Sequence, residues 1–275
     1  MTELVLRRAY YHRQMQPLIA SGASPIQIQE ALGEHFGACM AEAFCEWDAP
    51  PPAIHYLCST MVDFPFSTGA IEWRGLSALV ARHSPFSPAT LVNGYECASW
   101  GYALRHGLRF RGSDGPIAIS IVDLNLLNLE FWKENPNWGA SGFGTATLVF
   151  DAAPNASDAV TVDYARTHNV VAEFALAMRN IVKTATGVRL AKPFFPENIT
   201  QVFMRQMPHA DHLPDEHPAL GHCFGSDPWI SIIRDALAQP EGRSYIAAST
   251  ALNGYWALAR VRTVHDGRYF MGDAP

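Results

Sequence analysis

Residues 94–105, Gly-Tyr-Glu-Cys-Ala-Ser-Trp-Gly-Tyr-Ala-Leu-Arg, decide how the chain reads. Ahead of them, residues 89–93 form a short apolar segment that reads as a buried strand. The residues behind read as a helix, so Cys97 falls at a strand-to-helix junction. Free backbone N–H groups and the positive dipole end at such a junction stabilise a thiolate, the nucleophile of acyl-transfer chemistry. Ala98, Gly101 and Ala103 are small, Trp100, Tyr102 and Leu104 are large and apolar, and no clean polar face precedes Arg105. A helix that is apolar all round is a buried one. The reading is a central helix whose N-terminus is aimed at a cavity. By residue type alone, a lone cysteine at a strand end is more often an inert small hydrophobe.

The chain has 275 residues, 48% hydrophobic and 17% charged, enough for one large domain or two closely packed halves with a sizeable core. The net charge of −6 comes without a basic stripe or charge run, so nucleic acid is not an expected partner. Five cysteines, an odd number with no CxxC pair, point to a reducing cytoplasm and away from a disulfide framework. Neither a signal peptide nor a membrane span is expected, because no apolar run approaches ~18 residues.

In order along the chain, a helix is expected over residues 3–19. A second opens at Ser24-Pro25 and carries Leu32, Phe36 and Met40 at helical spacing. A strand at 53–59 and a helix at 73–83 follow, then the Cys97 segment. Residues 116–124 are the strongest strand signal, nearly continuously apolar, as suits a sheet covered on both faces. A short helix is read over 126–133. Residues 137–144 hold three glycines, but no Lys-Ser/Thr follows and a strand comes next, so a phosphate loop fails on context. A tight turn with close backbone approach fits better.

The polar stretch 151–158 divides an N-terminal half, 1–150, from a C-terminal half, 151–275. In the second half, strands at 160–167 and 188–194 alternate with helices at 170–186 and 196–207. A loop covers 208–220. A helix at 228–238 has Asp227 as its N-cap, and strands at 243–249 and 255–261 meet through Asn253-Gly254. The last dozen residues read as a tail. Strand and buried helix alternate in both halves, which makes an α/β chain of two related halves.

At this level the chain resembles the thiolase superfamily and, within it, the ketoacyl-ACP synthase III branch. The nucleophile segment from Glu96 to Leu104 is similar to that branch's Cys-Ala-Gly-Phe…Ala-Leu. Trp138-Gly-Ala-Ser-Gly-Phe-Gly-Thr-Ala-Thr-Leu148 resembles its glycine-rich strand entry. Gly221-His222 stands where the branch has Gly-Asn, and residues 249–258 resemble its closing strand pair. The resemblance covers roughly residues 35–262. It implies a five-layer α/β/α/β/α thiolase-like fold, here trimmed at the N-terminus because the usual first strand reads as missing or replaced by residues 1–22.

For function, the resemblance implies a Cys97, His222, Asp227 triad. Cys97 takes an acyl group from an acyl carrier protein (ACP) or CoA thioester, His222 serves as base or ion-pair partner, and Asp227 fixes the imidazole tautomer. Phe195-Pro196-Glu197-Asn198 replaces the branch's His-Gln-Ala-Asn, so the second histidine of decarboxylative condensation is absent. Transfer without decarboxylation to a second thiol, alcohol or amine is the implied activity, as in acyltransferases and starter-unit enzymes of natural-product biosynthesis. Phe195, Asn198 and Gly254 are the expected substrate-binding positions, with oxyanion donors from the N–H of Cys97 and from near Gly254. No cofactor and no metal are expected. The residues His209, Asp211, His212, Asp215, Glu216 and His217 have metal-ligand chemistry, but prolines interrupt the stretch, no helix is read there to align them, and they read as an exposed loop. A homodimer, or a heterodimer with a ketosynthase-like subunit, is expected, and the resemblance implies that the strand at 116–124 pairs across its two-fold axis. Two other functions stay open: a non-catalytic partner subunit, and a condensing enzyme of the ketosynthase III type.

Overall fold

The computed structural model describes residues 3–20, 22–110, 115–151 and 156–274. The strands of the large sheet are β1 (Leu4–Arg13), β2 (Ile54–Cys58), β3 (Thr90–Val92), β4 (Ile117–Asp123), β5 (Gly144–Asp151), β6 (Val160–Tyr164), β7 (Arg189–Ala191), β8 (Asp211–His212), β9 (Ser244–Thr250) and β10 (Tyr255–Asp273), beside a small hairpin of Glu134–Asn135 with Gly139–Ala140. The main helices are α1 (Pro25–Ala43), α2 (Trp73–Val80), α3 (Ser99–Phe110), α4 (Val170–Thr184), α5 (Glu197–Gln206) and α6 (Asp227–Ala238).

Among the described residues the ten strands join into one sheet that repeats itself. The first half runs β3-β2-β4-β5-β1 and the second β8-β7-β9-β10-β6. In each, the first three strands are parallel and the last two pairings antiparallel. The seam is the far end of β10, which pairs in parallel with β1 from Leu4 opposite Val261 to Arg13 opposite Asp273.

Alternation along the strands sorts side chains into layers. Ile117, Ile119 and Ile121 of β4, with Tyr245 and Ala247 of β9, face a central layer holding Trp100 and Trp229 of α3 and α6. Ala118 and Val122 face α1 and α2 on one outside. Ile246 and Ala248 face α4 and α5 on the other. The order is therefore helix, sheet, helix, sheet, helix, as expected. Trp100 and Trp229 meet edge to face at 4.8 Å, both fully buried. Each removes roughly 150–250 Å² from water, an upper-bound gain of about 4–6 kcal/mol at ~25 cal/mol per Å². Gly101 allows the close approach of α3 to β10: a Cβ there would lie 2.3 Å from that of Ala257.

Four expectations are corrected. Residues 4–13 are a strand, not a helix, so the first strand is present and the fold is not trimmed there. The charged residues that blurred its pattern have partners: the Arg8 guanidinium donates to the carbonyls of Ala43, Cys45 and Glu46 at the end of α1, and His12 Nε2 lies 2.9 Å from Glu42. Residues 264–273 are no tail but strand β10, paired with β1. β3 is not buried; it ends the strand order, with Thr90 exposed. Finally, β4 cannot pair across a two-fold axis, because β2 and β5 occupy both its edges. Its apolar run reflects helices on both faces. Of the boundary stretch 151–158, residues 152–155 lie outside the described residues; β5 ends at Asp151 and a 3-10 turn spans Ala156–Ala159.

Candidate active site

Cys97 lies in a 3-10 turn, Glu96–Ala98, that leads into α3. Its thiol is buried, and burial pushes its pKa well up. The charges of Asp123, Glu96 and Asp227 add to that, and the Thr60 hydroxyl, donating at 3.8 Å, opposes it. Burial therefore works against the thiolate that the helix terminus would favour, so the state of the sulfur turns on what stands beside it.

An imidazole stands beside it. His222 Nε2 lies 3.8 Å from Cys97 Sγ, and Nδ1 lies 2.6 Å from Asp227 Oδ2 and 2.9 Å from the Phe194 carbonyl. Both neighbours of Nδ1 are acceptors, so in the neutral ring Nδ1 carries the proton and Nε2 turns its lone pair to the sulfur. Cys97 and His222 come together from 125 positions apart in sequence.

The backbone around His222 explains the glycine-rich segment. His222 N–H donates to the Ala140 carbonyl at 2.8 Å, and Gly142 N–H donates back to the His222 carbonyl at 2.9 Å. Gly221 has φ +76°, and a Cβ on Gly142 would sit 2.3 Å from the Leu220 carbonyl oxygen. Residues 137–144 are thus a close-approach turn that clamps the histidine.

Asp227 does not cap α6. It is the first residue of that helix, and its carboxylate accepts the N–H groups of Phe194 (2.8 Å) and Cys223 (2.6 Å) as well as the imidazole. Burial pushes its pKa up, opposed by His222 and those two donors.

Phe195 stacks on the His222 ring, centroids 5.1 Å apart and planes 19° apart, and forms part of a cavity of about 310 Å³. Thr60, Glu96, Cys97 and His222 also line it, with Phe131, Trp132, Trp138 and Phe224. Asn198, expected at the substrate, is exposed on α5 and not part of that lining; its neighbour Ile199 is. Gly254 also lies off the lining. Its N–H donates to the Ala251 carbonyl at 3.0 Å, and those of Leu252 and Asn253 go to Glu96, so this turn offers no free oxyanion donor of the kind expected.

Sequence reading missed Asp123, Thr60 and the aromatic wall. Asp123 ends β4, is 1% exposed, and accepts from Thr60 N–H at 2.7 Å; burial raises its pKa to about 6. The signal for it was a carboxylate closing an otherwise apolar strand. The 209–217 residues make structural contacts instead: His212 Nε2 with the Met207 carbonyl, His217 Nε2 with the Trp138 carbonyl, Asp211 with Arg189. Among the described residues no group of three His, Cys, Asp or Glu is placed to hold a metal.

Set beside solved structures, the chain is similar end to end to ketosynthase-like enzymes. It covers 99% of itself and of ChlB3, titled an acyltransferase, at 14% identity and a TM-score of 0.67. For the priming β-ketosynthase of the R1128 polyketide pathway the figures are 11% identity, TM-score 0.66, and 100% and 98% covered. For 3-oxoacyl-(acyl carrier protein) synthase III from Pseudomonas aeruginosa PAO1 they are 12%, 0.64, and 95% and 98%. The fold is thiolase-like. Identities this low show the fold and not the reaction. No family profile and no curated protein matches the chain.

Proposed function

We propose that this protein is an acyltransferase. It takes an acyl group from an ACP or CoA thioester onto Cys97 and passes it, without decarboxylation, to a second acceptor in natural-product or lipid-like biosynthesis. The observation that carries the reading is the ordered contact Cys97 Sγ, His222 Nε2, His222 Nδ1, Asp227 Oδ2 at the wall of an apolar cavity. The Cys97 proton goes to His222 as sulfur attacks the thioester carbonyl, and the departing thiol takes it back. Aromatic side chains suit an apolar acyl group, and no cofactor is called for. The Thr60 hydroxyl, beside the sulfur, is the side-chain donor nearest to hand for the developing oxyanion.

Two features weigh against condensation with a malonyl unit. Phe195 stacks where a second base would be needed. The described lining also holds no Lys or Arg to receive a carboxylate. No helix of the described residues is long and apolar enough to cross a membrane. The reading includes a homodimer or a heterodimer with a ketosynthase-like subunit; among the described strands of the large sheet, those with an edge it leaves unpaired are β3, β6 and β8, not β4. Intact-mass measurement after exposure to acyl thioesters tests the function: one acyl adduct is expected, absent in Cys97→Ala. Absence of any adduct on Cys97 would hand the chain to the partner-subunit reading.

A further inference from the structure

The nucleophile turn carries a carboxylate that the steps above do not use. Glu96 precedes Cys97 and lines the same cavity. Its backbone is held at φ +46°, a conformation that glycine adopts without strain and glutamate does not. That backbone places the side chain. Glu96 Oε2 accepts Leu252 N–H at 2.8 Å and Asn253 N–H at 3.4 Å, and Asn253 Nδ2 donates to the Gly94 carbonyl at 3.0 Å. Turns from the two halves are latched together with a carboxylate at the cavity wall. A carboxylate has about four lone-pair sites, so two donors leave capacity for a ligand.

The cavity's charge is one-sided. Its described lining has Glu96 and neither Lys nor Arg, and the buried charge behind Cys97 is another carboxylate, Asp123. Much of the remaining wall is aromatic, and ring faces attract cations as carboxylates do. This surface repels anions and welcomes a cation.

We propose that Glu96 selects the acceptor, and that the acceptor is a primary amine arriving as its ammonium ion. The inference rests on the acyltransferase reading and names its second substrate. The ammonium gives one proton to the Glu96 carboxylate. The freed amine attacks the carbonyl carbon of the Cys97 thioester. As the C–N bond forms and the C–S bond breaks, the second amine proton passes to His222 and from there to the departing sulfur. An amide leaves, Cys97 is again a thiol, and Glu96 returns its proton to water.

The test uses the full chain acylated on Cys97 with the N-acetylcysteamine thioester of hexanoic acid, then discharged with n-butylamine or n-butanol. Intact mass follows both. The native chain is expected to discharge faster to the amine. Glu96→Gln keeps an oxygen for the Leu252 and Asn253 N–H groups but loses the charge, so the amine-to-alcohol rate ratio should fall roughly tenfold or more, with KM for the amine raised. Glu96→Asp keeps the charge and should keep the preference. In the native chain, n-butyltrimethylammonium, which cannot be acylated, should compete with the amine. An unchanged ratio in Glu96→Gln, or equal loss with both acceptors, overturns the inference and leaves Glu96 a latch. So does failure of the quaternary ammonium to compete. Failure of Cys97 to acylate at all overturns the acyltransferase reading and this inference with it.

Discussion

Replacing Asp227 with Asn tests the proton path directly. In the native site Oδ2 faces the His222 Nδ1–H and the Phe194 N–H, while Oδ1 faces the Cys223 N–H. Asn has one acceptor oxygen and one NH2. If its oxygen faces His222, the NH2 opposes the Cys223 N–H, and a buried donor is left unpaired at about 1–3 kcal/mol. If it faces Cys223, the NH2 donates to Nδ1, the proton moves to Nε2, and the lone pair aimed at sulfur is lost. Loss of the correct tautomer in a hydrolytic triad costs about 10⁴ in rate. Here the Phe194 carbonyl, 2.9 Å from Nδ1, still accepts that proton. The expected loss is therefore smaller, roughly 10²–10³-fold or about 3–4 kcal/mol of barrier. His222→Ala should be slower still. The assay is single-turnover acylation of Cys97 by a short acyl thioester, followed by intact mass, with urea unfolding to report the stability loss. A change below about threefold in Asp227→Asn would refute the reasoning, since the carboxylate would then not set the tautomer.

Three further outcomes are expected. Gly142→Ala puts a Cβ 2.3 Å from the Leu220 carbonyl oxygen and 2.6 Å from Cys223 Sγ; it should displace His222 and lower both acylation rate and stability, the latter by roughly 1–3 kcal/mol in urea unfolding. Burial lifts the Asp123 carboxyl from its ordinary 3.8 to about 6 in the folded chain. Since the folded chain holds that proton more tightly, its contribution should make stability fall between pH 4 and 6, by roughly 3 kcal/mol, and Asp123→Asn should flatten that slope in urea titrations at the two pH values. Cys45 is exposed while Cys97 is buried with a raised pKa, so iodoacetamide at pH 7.5 should modify Cys45 first by peptide mapping; prior reaction at Cys97 would mean that the thiol rests as an ion pair with His222.

Some of this was legible in sequence because it is local. The small-large alternation of Ala98–Leu104 announces a helix packed on all sides, and the structure buries Trp100 and Leu104 completely. The spacing from Gly221-His222 to Asp227 marks a compact turn with both groups on it. What was illegible depends on long-range partners. Arg8 and His12 broke the pattern of β1 because their partners lie on α1, more than 25 residues away. Residues 264–273 looked like a tail because their pairing partner is at the opposite end of the chain. Asp227 was read as a helix cap, since local chemistry offers it that role. Only the fold brings the Phe194 N–H to it from 33 residues away. The aromatic wall came from a one-turn helix at Glu130–Lys133, Trp138 and the turn at Phe224, pieces too short to show a period.

The repeat explains why the site sits where it does. In each half the helix of the central layer comes after an end strand of the sheet: α3 after β3, α6 after β8. Each helix is entered through a 3-10 turn, Glu96–Ala98 and Phe224–Ser226, whose first residue has positive φ, +46° at Glu96 and +55° at Phe224. The two turns touch at the middle of the molecule. Duplicated backbone has therefore brought two helix entrances face to face, and the sequence has assigned them opposite chemistry. The first carries the sulfur and a cavity-facing carboxylate. The second follows the imidazole and leads to the carboxylate that orients it. A buried carboxylate without hydrogen bonds would be costly, and Asp227 and Asp123 both meet that demand with backbone N–H groups from loops at the same junction. Contacts also cross between the halves: Gly225 N–H reaches Asp123, and Leu252 N–H reaches Glu96. Neither half has a complete site without the other.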